Sequence, residues 1–152
     1  MTARLVTRSV RGRAALDSCH PLLRAAWDAL QALPMAPGVV GYAAGHAQRD
    51  EAEQADAVRR KVSRAAFGQS PHNHEVEVSG RWVSLALDVY PIVVRGGKRV
   101  VSGSPSHYEP IGRAAATVGA EWGGAWKSFP DRPHLQVREW KALTKPEAES
   151  DE

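Results

Sequence analysis

The stretch Val76–Val94 limits the fold of this 152-residue chain more than any other segment. It is rich in Val, Trp, Leu and Tyr with partial alternation, the pattern of half-buried strands. Ser79-Gly80 interrupts it as a turn, so it reads as two strands. Gly96-Gly97 supplies a second turn, after which the chain returns through Arg99–Val101. Short strands separated by tight glycine turns pair antiparallel.

The flanking segments alternate in type. Pro21 suits the first turn of a helix, where its missing N–H costs nothing. Leu22, Leu23, Ala26, Trp27, Leu30 and Leu33 follow at helical spacing, and Pro34 and Pro37 stop the helix. Gly38–Tyr42 reads as a buried strand. Asp50 is a good N-cap with Glu53 at the third position, predicting a helix to about Ala66 with Val58 and Val62 on its buried stripe. Ile111–Val118 is helical and closed by Gly119. His134–Trp140 alternates and reads as a last strand. The expected class is α+β: a small antiparallel sheet flanked by helices. A single domain is expected over residues 1–143, with 1–13 as a loose arm or a first short strand. The acidic tail, 144–152, is expected to be disordered.

Composition narrows the chemistry. Cys19 is the only cysteine, which excludes an internal disulfide and any Cys-rich metal site. No apolar stretch reaches the length of a membrane span. The basic start MTARLVTRSVRGR lacks an apolar core after it, so no secretory signal is expected. The net charge of +3 is too small to argue for nucleic acid. The arginines of the first thirteen residues lack aromatic interleaving, so no nucleic-acid partner is expected. A monomer is expected.

Asp88 stands out, because it is an acid inside the apolar run SLALDVYP. Burying a carboxylate there is costly unless a cation or donors satisfy it. His72 in GQSPHN and His134 in DRPH are its candidate partners. Two histidines and one carboxylate with an open fourth position form a catalytic zinc set. Asp131, three residues before His134, is then placed to act as general base. From spacing alone a plainer reading also stands: a strand aspartate near a turn and two loop histidines. His20 reads as a helix cap, and His46 and His107 as loop residues.

Three strings carry a resemblance: GQSPHN, SLALDVYPI and EWGGAWKSFPDRPHLQV. They resemble the hallmark segments of the zinc peptidoglycan peptidases, the D-alanyl-D-alanine carboxypeptidase and L-alanyl-D-glutamate endopeptidase family, notably phage endolysins. That family's pattern runs S-x-H-N, then an apolar A-x-D, then W-G-G-D-W-K-S-F-x-D-x-P-H. The resemblance covers roughly residues 40–140. It implies His72, Asp88 and His134 as zinc ligands and Asp131 as the catalytic base. The family's arginine followed five residues later by glutamine falls on Arg49 and Gln54, with Arg49 holding a substrate carboxylate. Ser70 matches the serine of S-x-H. The implied fold is a small antiparallel sheet flanked by helices, with Zn2+ between the sheet and the loop bearing His134.

Three features depart from the pattern. His72 and Asp88 are farther apart than is usual in the family, through an insert of roughly His74–Val83 that reads as an added hairpin. It would wall the cleft or touch the glycan, and His74 within it is a rival ligand. The aspartate of W-G-G-D-W is Ala125 here, and Leu135 replaces the family's phenylalanine.

The expected function is a zinc-dependent hydrolase of the peptidoglycan stem peptide: an L-alanyl-D-glutamate endopeptidase of endolysin type. It would be held in the host bacterial cytoplasm before lysis and then act on the cell wall. The alternatives are a D-alanyl-D-alanine carboxypeptidase and a catalytically weakened cell-wall binding domain of the same fold.

Overall fold

A computed structural model describes residues 2–145. The acidic tail from residue 146 onward lies outside the described residues. The organising element is strand β5 (Ala86–Arg95), the longest in the chain. Strand β2 (Val39–Ala44) pairs along one of its edges. The other edge is shared by β8 (His134–Gln136) at its start and β6 (Lys98–Val101) at its end. A short β7 (Glu121–Trp122) extends this sheet beyond β8. A second, three-stranded sheet is built from β1 (Ala3–Leu5), β3 (His74–Val78) and β4 (Arg81–Ser84). All these strand pairs are antiparallel. The architecture is the expected α+β single domain.

The period of two along β5 sorts its residues into two environments. Leu87 and Val89 face the core, together with Leu85 just before the strand. Asp88 and Tyr90 face the opposite side and line a cleft. Helix α2 (Pro21–Ala32) buries Leu23, Ala26 and Leu30 at i, i+3, i+7. It packs against α4 (Glu109–Val118), which buries Ile111, Ala114 and Ala115. His20 caps α2, its Nδ1 accepting from the Leu22 N–H at 3.0 Å. Gly119 closes α4 with φ 80°, a conformation that suits glycine.

Several boundaries differ from the sequence expectations, each for a physical reason. A further short helix, α1 (Arg13–Ser18), precedes α2, and β1 occupies part of the first thirteen residues. Helix α3 (Glu51–Arg59) ends seven residues short of Ala66. Its buried face is Gln54 and Ala57, whereas Val58 and Val62 are exposed. The Gln54 side chain reaches past the helix end, donating to Ser63 Oγ (2.9 Å) and the Ala65 carbonyl (2.6 Å). Those bonds draw the chain back across the helix, and Lys61 takes a left-handed φ of 60° in the turn. Val76–Val94 holds three strands in part, because the chain breaks at Leu85 between β4 and β5. The last strand stops at Gln136, since Glu139 turns left-handed (φ 56°) and starts helix α5 (Trp140–Thr144). The insert is a hairpin as expected, turning at Ser79 (φ 51°) and Gly80 (φ 78°).

Cys19 lies buried between α1 and α2. Burial pushes its thiol up to about 12, so little nucleophilic thiolate forms at neutral pH. Iodoacetamide at pH 8 should leave Cys19 unmodified in the folded protein and alkylate it after denaturation, as read by intact-mass spectrometry. Equal labelling in both states would show that the α1–α2 junction opens freely.

Candidate metal centre

Strand register builds half of the site. Asp88 of β5 stands directly opposite His134 of β8 in the antiparallel ladder, and such cross-strand partners project from the same face. His72 comes from a 3-10 turn, Pro71–Asn73, just ahead of β3. The string S-P-H-N explains that turn. The Ser70 hydroxyl accepts the His72 N–H (3.2 Å), Pro71 begins the turn, and Asn73 Oδ1 accepts the Ser70 N–H (3.2 Å). The Asn73 amide also donates to the Arg49 carbonyl (3.0 Å) and to Gln54 Oε1 (3.1 Å), anchoring the turn to α3. Ser70 is thus a cap, one step removed from the donor atoms.

The three side chains converge. His72 Nε2 lies 3.1 Å from Asp88 Oδ1, and His134 Nδ1 lies 3.6 Å from the same oxygen. One donor atom from each residue falls within 4.8 Å of the others, and all three residues are buried. Two imidazole nitrogens and a carboxylate oxygen suit a divalent ion such as zinc, so this donor set fits. His74 does not join it. Its Nε2 bonds to the Gly68 carbonyl (2.7 Å) and its ring packs on Trp140.

Each ring is held with one nitrogen turned toward Asp88 and available to a metal ion. His72 Nδ1 sits 2.7 Å from the Ala47 carbonyl, an acceptor, so Nδ1 carries the proton and Nε2 keeps its lone pair. His134 Nε2 sits 2.7 Å from Gln136 Oε1, which leaves Nδ1 as the ligand atom. Gln136 is itself oriented, donating from Nε2 to Glu121 Oε2 (2.9 Å). The same oxygen accepts from Trp126 Nε1 (3.1 Å). The spacing held a signal for Gln136 that the motif reading missed. It lies two residues after His134 on the same strand face, opposite Glu121 in the register.

Arg49 neutralises the buried acid. Its Nη2 donates to Asp88 Oδ2 (3.3 Å) and its Nη1 to Gln54 Oε1 (3.1 Å). Asp88 therefore presents one oxygen to the histidines and the other to a guanidinium. Burial alone would raise the Asp88 carboxyl, but the charges and hydrogen bonds of His72 and His134 outweigh it and hold it well below its usual range. Burial pushes His72 down to about 4, so it stays neutral and ready to coordinate. Burial also opposes charge on His134, but the hydrogen bond and charge of Asp88 outweigh it and move the ring up.

Asp131 sits at the mouth of the cluster, its Oδ2 4.0 Å from His134 Nδ1. The Asp131 N–H donates to the Gly123 carbonyl (2.9 Å). A Cβ at Gly123 would lie 2.6 Å from the Asp131 carbonyl, so only glycine allows the two segments to approach. Trp122 Nε1 pins the same loop through the Arg132 carbonyl (2.6 Å). Burial raises Asp131 to about 6, near the range of an efficient base at neutral pH.

Two outcomes follow. Gln136→Leu removes the acceptor that fixes the His134 tautomer. It should weaken zinc affinity about 10–100-fold in a chelator competition, and the metal-free protein should lose about 1–3 kcal/mol of stability because the buried His134 Nε2–H is left without an acceptor. For Asp131, a carboxyl with a folded pKa above its unfolded one favours folding while protonated. That contribution is lost as pH rises through about 6. Metal-free Asp131→Asn should therefore melt higher than the parent at pH 8, with the gap narrowing toward pH 4. A gap independent of pH would show that Asp131 is not held against its charge.

Comparison with known proteins places these features. Residues 68–137 match the family model described as D-alanyl-D-alanine carboxypeptidase, a span that contains His72, Asp88, Asp131 and His134. Among solved structures, the chain is similar to the Serratia marcescens L-Ala D-Glu endopeptidase ChiX. The TM-score is 0.59 at 25% identity, over 87% of this chain and 89% of that one. The buried His-Asp-His cluster lies inside that matched span and on the shared fold, and together these features support a metallopeptidase of the zinc peptidoglycan peptidase type.

Proposed function

We propose that the protein is a zinc-dependent endopeptidase that cuts the L-alanyl-D-glutamate bond of the peptidoglycan stem peptide. We also assign it an endolysin role: held in the host bacterial cytoplasm, then degrading the cell wall. The observation that carries the bond assignment is the likeness to ChiX over nearly the full length of both chains. The donor set supports the ion, and nitrogen and oxygen ligands in a closed three-residue cluster favour zinc.

His72 Nε2, Asp88 Oδ1 and His134 Nδ1 would hold the ion, which when bound supplies Lewis acidity and makes a water more acidic. Asp131 faces a cleft of about 390 Å³ that also exposes Tyr90, Tyr108 and Arg132. Its carboxylate is placed to take a proton from the attacking water and return it to the departing amine. The loop pinned by Trp122 holds that carboxylate in position. Arg49 holds Oδ2 of Asp88, which leaves Oδ1 toward the histidines.

A second reading, a D-alanyl-D-alanine carboxypeptidase, draws on the description of the matching family. A digest of purified peptidoglycan with the zinc-loaded protein separates the two by mass spectrometry. New amino-terminal glutamate on released peptides is expected. Free D-alanine as the sole product would establish the carboxypeptidase. Asp131→Ala should lower the rate about 10²–10⁴-fold. If the parent digests no better than this variant, the chain is a binding domain, the outcome to which Ala125 would point.

A further inference from the structure

A larger cleft, of about 570 Å³, lies away from the metal cluster, between α1, α2 and the free edge of β2. Helix α1 lines it with Arg13, Leu16 and Asp17, at i, i+3 and i+4, and α2 with Arg24 and Trp27, at i and i+3. Tyr42 and the two alanines after it form the β2 wall. None of these residues has a part in the chemistry above. We propose that this cleft binds a saccharide, the N-acetylmuramic acid unit that carries the stem peptide. The proposal rests on the endopeptidase reading above.

The lining offers the two kinds of surface that a sugar needs. A pyranose presents an apolar C–H face and a rim of hydroxyl and acetamido groups. Trp27 and Tyr42 are half-buried. Among the described residues, Tyr42 Oη and His46 Nε2 are the buried side-chain polar atoms without a hydrogen-bond partner. The Tyr42 hydroxyl is therefore turned inward, and its ring is what meets the cleft. Trp27 Nε1 also has no partner among the described residues, but it is open to solvent. The electron-rich faces of such rings attract the C–H groups of a sugar, and the indole N–H is a free donor for an acetamido oxygen. The rim of the cleft is charged. Arg13, Asp17 and Arg24 are exposed, and Arg24 makes only long contacts, 3.5 Å to Asp17, to Asp28 and to the Leu16 carbonyl. Exposed pairs of this kind are weak, so sugar hydroxyls compete for them.

The position of the cleft fits the substrate. In the stem peptide the L-alanine is joined by an amide to the lactyl group of muramic acid. One residue and one lactyl group thus separate the L-alanyl-D-glutamate bond from the sugar, roughly 7 Å when extended. The Gly45 N–H donates to the Asp88 carbonyl (2.7 Å). Tyr42 precedes Gly45 along β2 by about 10 Å of strand. Tyr42 and Ala44 pack toward the core, whereas Asp88 faces the other side of the sheet, so the route turns round the free edge of β2. An intervening cleft makes that turn. It shares Gly12 and Ala44 with the aromatic cleft, and Asp88 with the cleft that holds Asp131. A stem peptide leaves its sugar as a branch, so a glycan seated beside Trp27 sends its peptide over that edge.

The probe is the disaccharide of N-acetylglucosamine and N-acetylmuramic acid, free of peptide and with its lactyl carboxyl capped as an amide, as in the substrate. Added to the metal-free protein, it should shift the Trp27 indole N–H resonance, which is identified by its loss in Trp27→Leu. Affinity by calorimetry should fall about tenfold or more in Trp27→Leu. It should fall by a smaller factor in Arg13→Gln, an exposed position whose variant should melt with the parent. Cleavage is then compared for a stem peptide with and without the disaccharide attached, using the zinc-loaded protein. KM should be about tenfold lower for the attached form, and that ratio should move toward one in both variants. Absence of disaccharide binding by the parent overturns the saccharide site. So does an affinity unchanged in both variants, or an equal KM for the two substrates in the parent. Cleavage of neither substrate, with disaccharide binding at Trp27 intact, overturns the peptidase reading and leaves the saccharide site standing.

Discussion

The ionised Asp88 carboxylate, buried in the middle of a sheet, is the constraint on which the rest of the site depends. It stands on β5 between Leu87 and Val89, residues that belong to the core. An uncompensated charge there would cost several kcal/mol, on the order expected for a desolvated ion. Compensation comes from three directions: Arg49 on one oxygen, and His72 and His134 on the other. Each partner is delivered by a different element, so the local fold around β5 must assemble before the acid is tolerated. A divalent ion would take over part of that compensation, which links metal binding to stability.

The next layer out serves orientation. A histidine is a useful ligand only if the correct nitrogen is bare, and here a backbone carbonyl and a side-chain amide settle that for the two rings. The chain from His134 through Gln136 and Glu121 to Trp126 joins β8 to β7 and to the turn that follows. Trp126 belongs to the W-G-G-A-W segment and Glu121 directly precedes it, whereas His134 and Gln136 lie on β8. That motif thus works through backbone proximity and hydrogen bonds around Asp131 and His134. The glycines let strands and loop approach, and the tryptophans hold what has approached. Ala125 falls outside this chain of bonds.

Much of the candidate metal centre was legible in the amino-acid string. Asp88 declared itself as a charge in an apolar run, and S-P-H-N and D-R-P-H carried their own turn chemistry. His20, Gly119 and Ser79-Gly80 behaved as local rules require, because capping and positive φ depend on one or two neighbouring residues. Expectations failed where a distant partner decided. The α3 helix was cut short by the reach of Gln54 into the following loop. His74 had the right chemistry for a ligand but was taken by the Gly68 carbonyl and the Trp140 ring. Val62 had the right spacing for the core but sits exposed in the turn over the cleft.

By itself, the sequence determined which atoms were available: no thiol pair, two histidines and an aspartate in apolar or tightly turned settings, and a second aspartate beside one of them. These are properties of residue type and of short-range backbone preference. Only the tertiary structure decided which atom meets which. The pairing of β5 with β8 puts Asp88 opposite His134, and the α3 junction turns Arg49 onto Asp88. Strand register and ion pairing join residues far apart in the chain. Their energies exist only once the intervening segments have packed, so no local pattern can encode them.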